Sequence, residues 1–359
     1  MNNNFLNKVL SRIFEIKSHD KKTIFLISTT AKQEENAYLT PVRICKDFIL
    51  AGCIIFDQKN LTSLLEKIDG EVDIILADSE KVIPMHVDGL NYELDKNSDQ
   101  LSIETISKIC FQSVKKSKIF EFKPNDLTVN ATWSFLSHRL KFLSGKKISI
   151  LGAGNIGSKL ALKLVECGAE INLYRRDIDK GNQITRGLNL IKPEGIISNI
   201  QFYSDPMRAS FMSDILIGTT NGHPVIDENI INNVKKDCLV IDLGKNNLTK
   251  NAIKIATQYS MEICRTDVTP AIESYVYEVL KMQEILKNSY GKRTLDFCNI
   301  VGGGFFGNYG DIIVDEIVNP SQVFGVSHGD GLLKSVLNSE DQLRVKRLKI
   351  EIKKSFGKE

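Results

Sequence analysis

Lys146–Arg176, KKISILGAGNIGSKLALKLVECGAEINLYRR, is the stretch on which the fold turns. It reads as strand, tight glycine turn, helix, strand. Lys147–Leu151 is a short β-prone run, and Gly152, Gly154 and Gly157 fit G-x-G-x-x-G. The first glycine allows the sharp turn, the second lets backbone approach a pyrophosphate, and the third lets the helix press on the strand. Asn155 and Ile156 then open a helix whose apolar positions include Leu160, Leu162, Leu164 and Val165, and which stops at Gly168. Ala169–Tyr174 is the second strand. The pattern sits inside a complete βαβ unit, so a dinucleotide-binding sheet is expected.

The end of that second strand bears on the cofactor. An NAD site usually places Asp or Glu there to accept from the ribose 2′-hydroxyl. Here Tyr174, Arg175 and Arg176 stand instead, and Asp177 comes two residues late. Two guanidiniums suit a 2′-phosphate, which offers charge and several acceptors. NADP is therefore expected over NAD.

Outward from this unit the strand and helix patterns keep alternating. Towards the N-terminus, Phe5, Leu6, Val9, Leu10, Ile13 and Phe14 mark one face of a helix, and Thr23–Ile27 is a strand. Pro41 suits the first turn of a helix capped by Thr40, with Val42, Cys45, Phe48 and Ile49 as its apolar face and Gly52 as its stop. Cys53–Phe56 and Val72–Ala77 read as strands, and Val82–Val87 as a further strand carrying His86. Residues 89–101 are polar and read as a loop, Ile103–Val114 as a helix and Lys118–Phe122 as a strand. Leu127–Leu143 is a helix crossing into the nucleotide domain.

Beyond Arg176, strands are expected at Ile200–Tyr203, Ile215–Thr220, Cys238–Gly244 and Met261–Arg265. In a doubly wound sheet the carboxyl ends of such strands face the cofactor. Thr219, Thr220 and Asn221, with Leu243 and Gly244, should border the nicotinamide ribose. Pro270–Leu286 reads as a long helix returning to the first domain. After it come a glycine-rich run at 302–310, a hairpin from Asp311 to Val326, and a tail, Leu343–Lys354, that alternates basic and apolar residues. The glycine run lacks the Lys-Ser/Thr ending of a Walker loop and reads as a turning loop. The tail reads as an exposed edge or packing element with a solvated basic face. The expected class is α/β: a Rossmann doubly wound parallel sheet, residues 127–269, inserted in a second, smaller α/β domain of residues 1–126 plus 270–359.

Composition narrows the function. The chain has 359 residues and a formal net charge of only +3, which gives no electrostatic footprint for nucleic acid. No apolar run reaches membrane-spanning length. The N-terminal segment lacks a signal-peptide core, and the 7 cysteines show no C-x-x-C spacing. Buried reduced thiols and a cytoplasmic location are expected. No His/Cys/Asp/Glu cluster has metal-ligand spacing. The expected partners are a small-molecule substrate and a second copy of the chain, as a homodimer.

The order of elements resembles the alanine dehydrogenase and saccharopine dehydrogenase superfamily, over residues 23–290. Glu35-Asn36-Ala37-Tyr38-Leu39-Thr40-Pro41 looks like that family's E-x-R-x-A-L-T-P segment before its first long helix. Val72–Ala77 is similar to its strand leading to a catalytic-region lysine, and Asp267-Val268-Thr269-Pro270 to its exit from the nucleotide domain. The resemblance implies hydride chemistry on an amino or 2-oxo acid, with a lysine and a histidine acting on the carbonyl and imine. Lys81 and His86 are the nearby candidates, with Asp78 to orient them. Asn36 stands where the family places its carboxylate-binding arginine, and residues 297–334 have no counterpart. Thr219–Gly222 and Ile241–Gly244 are also similar to adenosylhomocysteine hydrolase and methylenetetrahydrofolate dehydrogenase, which share the two-domain plan. Two other functions stay open: a cofactor-binding sensor without hydride chemistry, and a redox-neutral enzyme holding NAD tightly. His223 is a candidate to line the nicotinamide side or to cap the following helix, and His328 is a candidate to reach the cleft.

Overall fold

The computed structural model describes residues 3–30, 37–84, 103–220, 223–244 and 246–356. The chain divides into two compact units, Met1–Ile272 and Glu273–Glu359.

The first unit carries two large sheets. The N-terminal one contains β1 (Lys22–Ser28), β2 (Tyr38–Ile44), β3 (Phe48–Ile54) and β4 (Ile74–Asp78). A small ribbon of β5 (Val82–Pro84) and β6 (Ile103–Thr105) follows, and β7 (Lys118–Phe122) completes the large sheet in the order β2-β3-β1-β4-β7. The strands β3, β1, β4 and β7 run parallel, and only the edge strand β2 is antiparallel. The chain leaves β1 for β3 on one side and then returns to β4 on the other. The carboxyl ends of β1 and β4 therefore flank a topological switch point, where open α/β sheets bind ligands.

The helix expected after Pro41 is a β-hairpin instead. Phe48–Ile54 is buried at all seven positions because β3 lies inside the sheet, between β1 and β2. A continuous apolar run of this length reads equally well as a buried helix segment or a central strand. Pro41 is tolerated because β2 is an edge strand, and the register shifts between Thr40 and Arg43. Gly52 does not stop a helix; it lets β3 pass β1, since a Cβ there would lie 2.4 Å from the Leu26 carbonyl oxygen. The match at Leu39-Thr40-Pro41 thus loses the helix that the resemblance requires.

The N-terminal helix, Asn3–Lys17, buries Val9, Ile13 and Ile16 but leaves Phe14 exposed. Its buried face is therefore turned from the one that Leu10 and Phe14 suggested. The connecting helix spans Pro124–Leu140.

The second sheet contains β8 (Lys147–Leu151), β9 (Glu170–Tyr174), β10 (Ile200–Tyr203), β11 (Ile215–Gly218), β12 (Leu239–Asp242) and β13 (Ile263–Cys264). Its order is β10-β9-β8-β11-β12-β13, parallel throughout. This is the doubly wound Rossmann order, with its own switch point between β8 and β11. Apolar side chains of the helix Asn155–Glu166 pack one face of the sheet, with Leu160, Ala161, Leu164 and Val165 all buried.

The second unit has its own sheet: β14 (Gly291–Leu295), β15 (Cys298–Gly302), β16 (Ile312–Val314) and β17 (Val323–Val326), in that order. The expected hairpin is β16 with β17. The tail expected as an edge or packing element is a helix, Ser339–Phe356, that buries Leu348 and Ile352 with Ile300, Ile312 and Val326. Glu273–Glu359 cluster as a unit with this core of their own. The glycine-rich run turns over β15 and β16: Gly307, at φ 72°, stands where a Cβ would lie 2.9 Å from Val301.

All seven cysteines are free thiols, and four are buried. Burial pushes the Cys110 and Cys238 thiols up to about 12, so neither is a poised nucleophile. Among the described residues, no helix is long and apolar enough to cross a membrane.

Candidate functional site

The three glycines of the turn differ in what they permit. Gly152 has φ 128°, and a Cβ there would lie 2.7 Å from Thr219 Oγ1. At Gly157 a Cβ would lie 2.0 Å from the Gly152 carbonyl oxygen. Both glycines are required by packing. Gly154 is different: its φ of −88° suits any residue, and a Cβ would meet nothing within 4 Å. It faces open space at the head of the helix Asn155–Glu166, which has no side-chain cap. Uncapped N–H groups at a helix start and an unobstructed approach are what an anionic group such as a pyrophosphate uses. Asn155 is exposed and Ile156 half-buried in that first turn.

A cavity of about 440 Å³ opens at the carboxyl ends of β8, β9 and β11. Gly152, Ala153 and Gly154 form its floor. Tyr174, Arg175, Arg176 and Asp177 line one side, and Thr219, Thr220, His223, Pro224 and Val225 the other. Arg175 is half-buried, and its Nη1 donates to the Ala153 carbonyl. Arg176 is exposed. Asp177 caps the helix Ile178–Ile191, accepting from the Lys180 N–H at 3.1 Å. Its late position is thus explained by the helix it starts.

The Thr219–Val225 wall is fixed by a residue the sequence reading passed over. Asn247 is fully buried, and its Oδ1 accepts from the Thr220 N–H at 2.8 Å. Its Nδ2 donates to Asp242 Oδ1 at 2.6 Å, and its carbonyl accepts from the N–H groups of Val225 and Ile226. Asp242, at the end of β12, also accepts from Arg265 Nε at 3.3 Å. Thr219 Oγ1 donates to the Gly152 carbonyl at 2.6 Å, joining the wall to the glycine turn. Leu243 and Gly244 lie behind this network rather than on the cavity surface; a Cβ on Gly244 would lie 2.5 Å from the Thr220 carbonyl oxygen. Asn221 and Gly222 lie outside the described residues. His223 does not cap the helix Glu228–Asn233, because Asp227 does.

At the switch point of the first sheet, Ser28 ends β1 and Thr29 follows it, and Asp78 ends β4. Asp78 is fully buried; its Oδ2 accepts from Ser28 Oγ at 2.6 Å, and its Oδ1 from the N–H groups of Glu80 and Lys81. Burial raises its carboxyl above the usual range, against the pull of these hydrogen bonds and of Lys81. Lys81 Nζ donates to the Thr29 carbonyl at 2.7 Å. Burial holds its ammonium below the ordinary lysine range, although Asp78 and Glu80 act in the other direction. Both shifts run in the direction that groups handling protons near neutral pH need. His86 lies outside the described residues. His328 belongs to the second unit, where it is exposed and pairs with Asp330.

The two switch points are tied together within the first unit. Glu80 Oε1 meets Lys159 Nζ, on the glycine-turn helix, at 3.1 Å, and its Oε2 accepts from the Asn125 N–H at 2.7 Å. Lys159 also reaches Asp126 Oδ1 at 2.5 Å. Burial works against its charge, but these two carboxylates win and hold its ammonium above the ordinary range.

No family model matches the chain. It is similar to a glutamyl-tRNA reductase of Thermosipho melanesiensis, 30% identical over 122 residues, 33% of this chain and 31% of that one. It is also similar to a probable multifunctional siroheme biosynthesis protein of Ruminiclostridium josui, 24% identical over 250 residues, 68% of this chain and 46% of that one. Among solved structures, shikimate dehydrogenase in complex with NADP+ aligns at a TM-score of 0.37 and 15% identity, over 68% of this chain and 84% of that one. The chain thus spans less than half the length of these two curated relatives.

Proposed function

We propose that this chain is an NADP-dependent oxidoreductase acting on a carbonyl or imine of a small polar metabolite, of the amino-acid dehydrogenase type. The observation that carries this reading is the cavity at the β8/β11 switch point, with open backbone at Gly154 and two arginines on its wall. A side chain at Gly154 would fill the cradle, so the glycine fits a dinucleotide pyrophosphate. Arg175 and Arg176 stand where an NAD site has a carboxylate, and Asp177 is committed to a helix cap. Similarity to a reductase over a third of the chain agrees with this reading.

When bound, the nicotinamide supplies or accepts the hydride. The chain's own task is to hold the substrate and handle the proton. Lys81 is assigned to the substrate oxygen or nitrogen: its Nζ keeps donors beyond the one directed at Thr29. Asp78 orients the Lys81 backbone, and its raised pKa moves its proton exchange towards neutral pH. His86 is kept in this proposal as a proton donor.

Fluorescence titration with NADPH and NADH tests the reading. The wild type should bind NADPH, and Gly154→Val should lose at least about 100-fold in affinity while keeping its melting temperature, since the side chain blocks only the pyrophosphate. Wild-type affinity in the variant would leave the turn purely structural and remove the cofactor. One observation favours a binding-only protein: the Lys81–Thr29 hydrogen bond can be a structural lock. NADPH oxidation across a panel of 2-oxo acids, with and without ammonia, separates the two. Oxidation that Lys81→Met lowers by about 10²–10⁴-fold marks a proton-handling role. No oxidation with any member, despite tight NADPH binding, marks the sensor.

A further inference from the structure

We infer that the two arginines after β9 do different work: Arg175 presents the flat face of its guanidinium to the adenine ring, and Arg176 alone reads the 2′-phosphate. This rests on the dinucleotide reading above and goes beyond it. The sequence gives two adjacent, equivalent cations. The structure makes them unequal. Arg175 Nη1 is taken by the Ala153 carbonyl, and its Nε is buried with no hydrogen-bond partner in place. With Nη1 engaged and Nε buried, this guanidinium has fewer donors free for a phosphate than Arg176 has, and stacking by its planar face is the role left to it. Planar, weakly hydrated guanidiniums stack well on aromatic rings.

The facing wall is built for the other side of such a ring. His223, Pro224 and Val225 are flat or apolar there, and buried Asn247 fixes their backbone through Thr220, Val225 and Ile226. Both sets of residues line the same cavity of about 440 Å³. Arg176, by contrast, is exposed and lines the same cavity, and no hydrogen bond or ion pair engages its side chain among the described residues. Its donors are available to a phosphate. Asp177, the one carboxylate among the described lining residues, is turned to Lys180, with Oδ2 at 3.7 Å from its Nζ and Oδ1 on its N–H. The start of that helix adds positive potential at the same place.

The test is isothermal titration of NADPH, NADH, 2′,5′-ADP and 5′-AMP into the wild type, Arg175→Ala, Arg175→Tyr and Arg176→Ala. Removing a charged hydrogen-bonding partner costs about 10–100-fold, so Arg176→Ala should lose that much for NADPH and 2′,5′-ADP and little for NADH and 5′-AMP. Removing a stacking cation costs about 2–30-fold, and Arg175→Ala should show it equally for all four ligands. Arg175→Tyr should restore most of that loss, because a ring can stack without a charge. A loss confined to the 2′-phosphorylated ligands in Arg175→Ala, or no rescue by Tyr in a variant that melts as the wild type does, would overturn the division. Wild type that binds none of the four would overturn the dinucleotide reading itself, a distinct outcome.

Discussion

At Asp78 the chain keeps a carboxyl group with no solvent exposure, at the end of a parallel strand, beside a half-buried lysine. Its folded pKa lies above the unfolded value because burial outweighs three hydrogen bonds and the Lys81 charge. Stability from this group is therefore present in full below the unfolded pKa, near 4. It is lost as pH rises through the raised folded value. Asp78→Asn keeps an acceptor for the Glu80 and Lys81 N–H groups and a donor for Ser28. Its melting temperature relative to wild type should rise as pH is raised above about 4. Parallel curves across that range, from thermal melts in matched buffers, would show that the carboxyl does not titrate inside the fold. The same residues illustrate a limit of residue-level reading. Asp78 and Lys81 are legible as a pair in the sequence, but the Ser28 and Thr29 atoms that bind them come from 50 and 52 positions away.

At the scale of elements, the glycine turn and the C-terminal helix show two ways in which one residue can hold a whole segment. Gly157 lets the helix Asn155–Glu166 sit on β8, and a Cβ there collides with the Gly152 carbonyl backbone. Gly157→Ala should cost about 1–3 kcal/mol by overpacking. Gly154→Val, three residues earlier, should leave the melting temperature unchanged. Equal melting of the Gly157→Ala protein and the wild type would mean that the turn shifts freely. In the second unit, Asp341 lies in the first turn of the helix Ser339–Phe356, almost fully buried. It accepts from Lys334 Nζ at 2.9 Å and Arg344 Nη2 at 2.6 Å, and Lys334 lies over the Tyr309 ring. Burial opposes its charge, but these two cations hold its pKa below the ordinary range. Its stabilisation is thus present above the unfolded carboxyl pKa and is lost as pH falls below it. Asp341→Ala should destabilise the unit by more than about 1 kcal/mol, because Lys334 and Arg344 both lose the carboxylate between them. Chemical denaturation followed by the fluorescence of the unit's tyrosines would show it; a loss below about 1 kcal/mol would mean that solvent replaces the carboxylate.

At the scale of the whole molecule, the first unit joins two switch points through few polar contacts. Glu80, next to Lys81, is bound to Lys159, one turn into the glycine-turn helix, and to the N–H of Asn125 at the start of the connecting helix. Lys159→Met should cost only about 1 kcal/mol, since the lysine is partly exposed and such pairs are screened. Its larger effect should be on order: amide exchange at 79–81 and 124–127 should speed up, while NADPH affinity changes by less than about threefold. Unchanged exchange at both segments would show that the bridge does not hold the two sheets.

The sequence by itself determined the Rossmann unit. GAGNIG, its flanking strands and its helix are encoded by local backbone sterics, which need no partner from elsewhere in the chain. The carboxyl-end positions of Thr219 and Thr220 followed from the same rule of strand order. Tertiary structure decided what depends on pairing at long range. Phe48–Ile54 became a central strand, not a helix face, because β1 and β2 offer it edges on both sides. Asn247 became the support of the cavity wall because folding brings it to Thr220 and Asp242. Arg175 ceased to be the twin of Arg176 because the Ala153 carbonyl, 22 residues earlier in the chain, takes up its edge. In each case a side chain's role is set by which hydrogen-bonding or apolar surface reaches it, and periodicity along the chain carries no record of that.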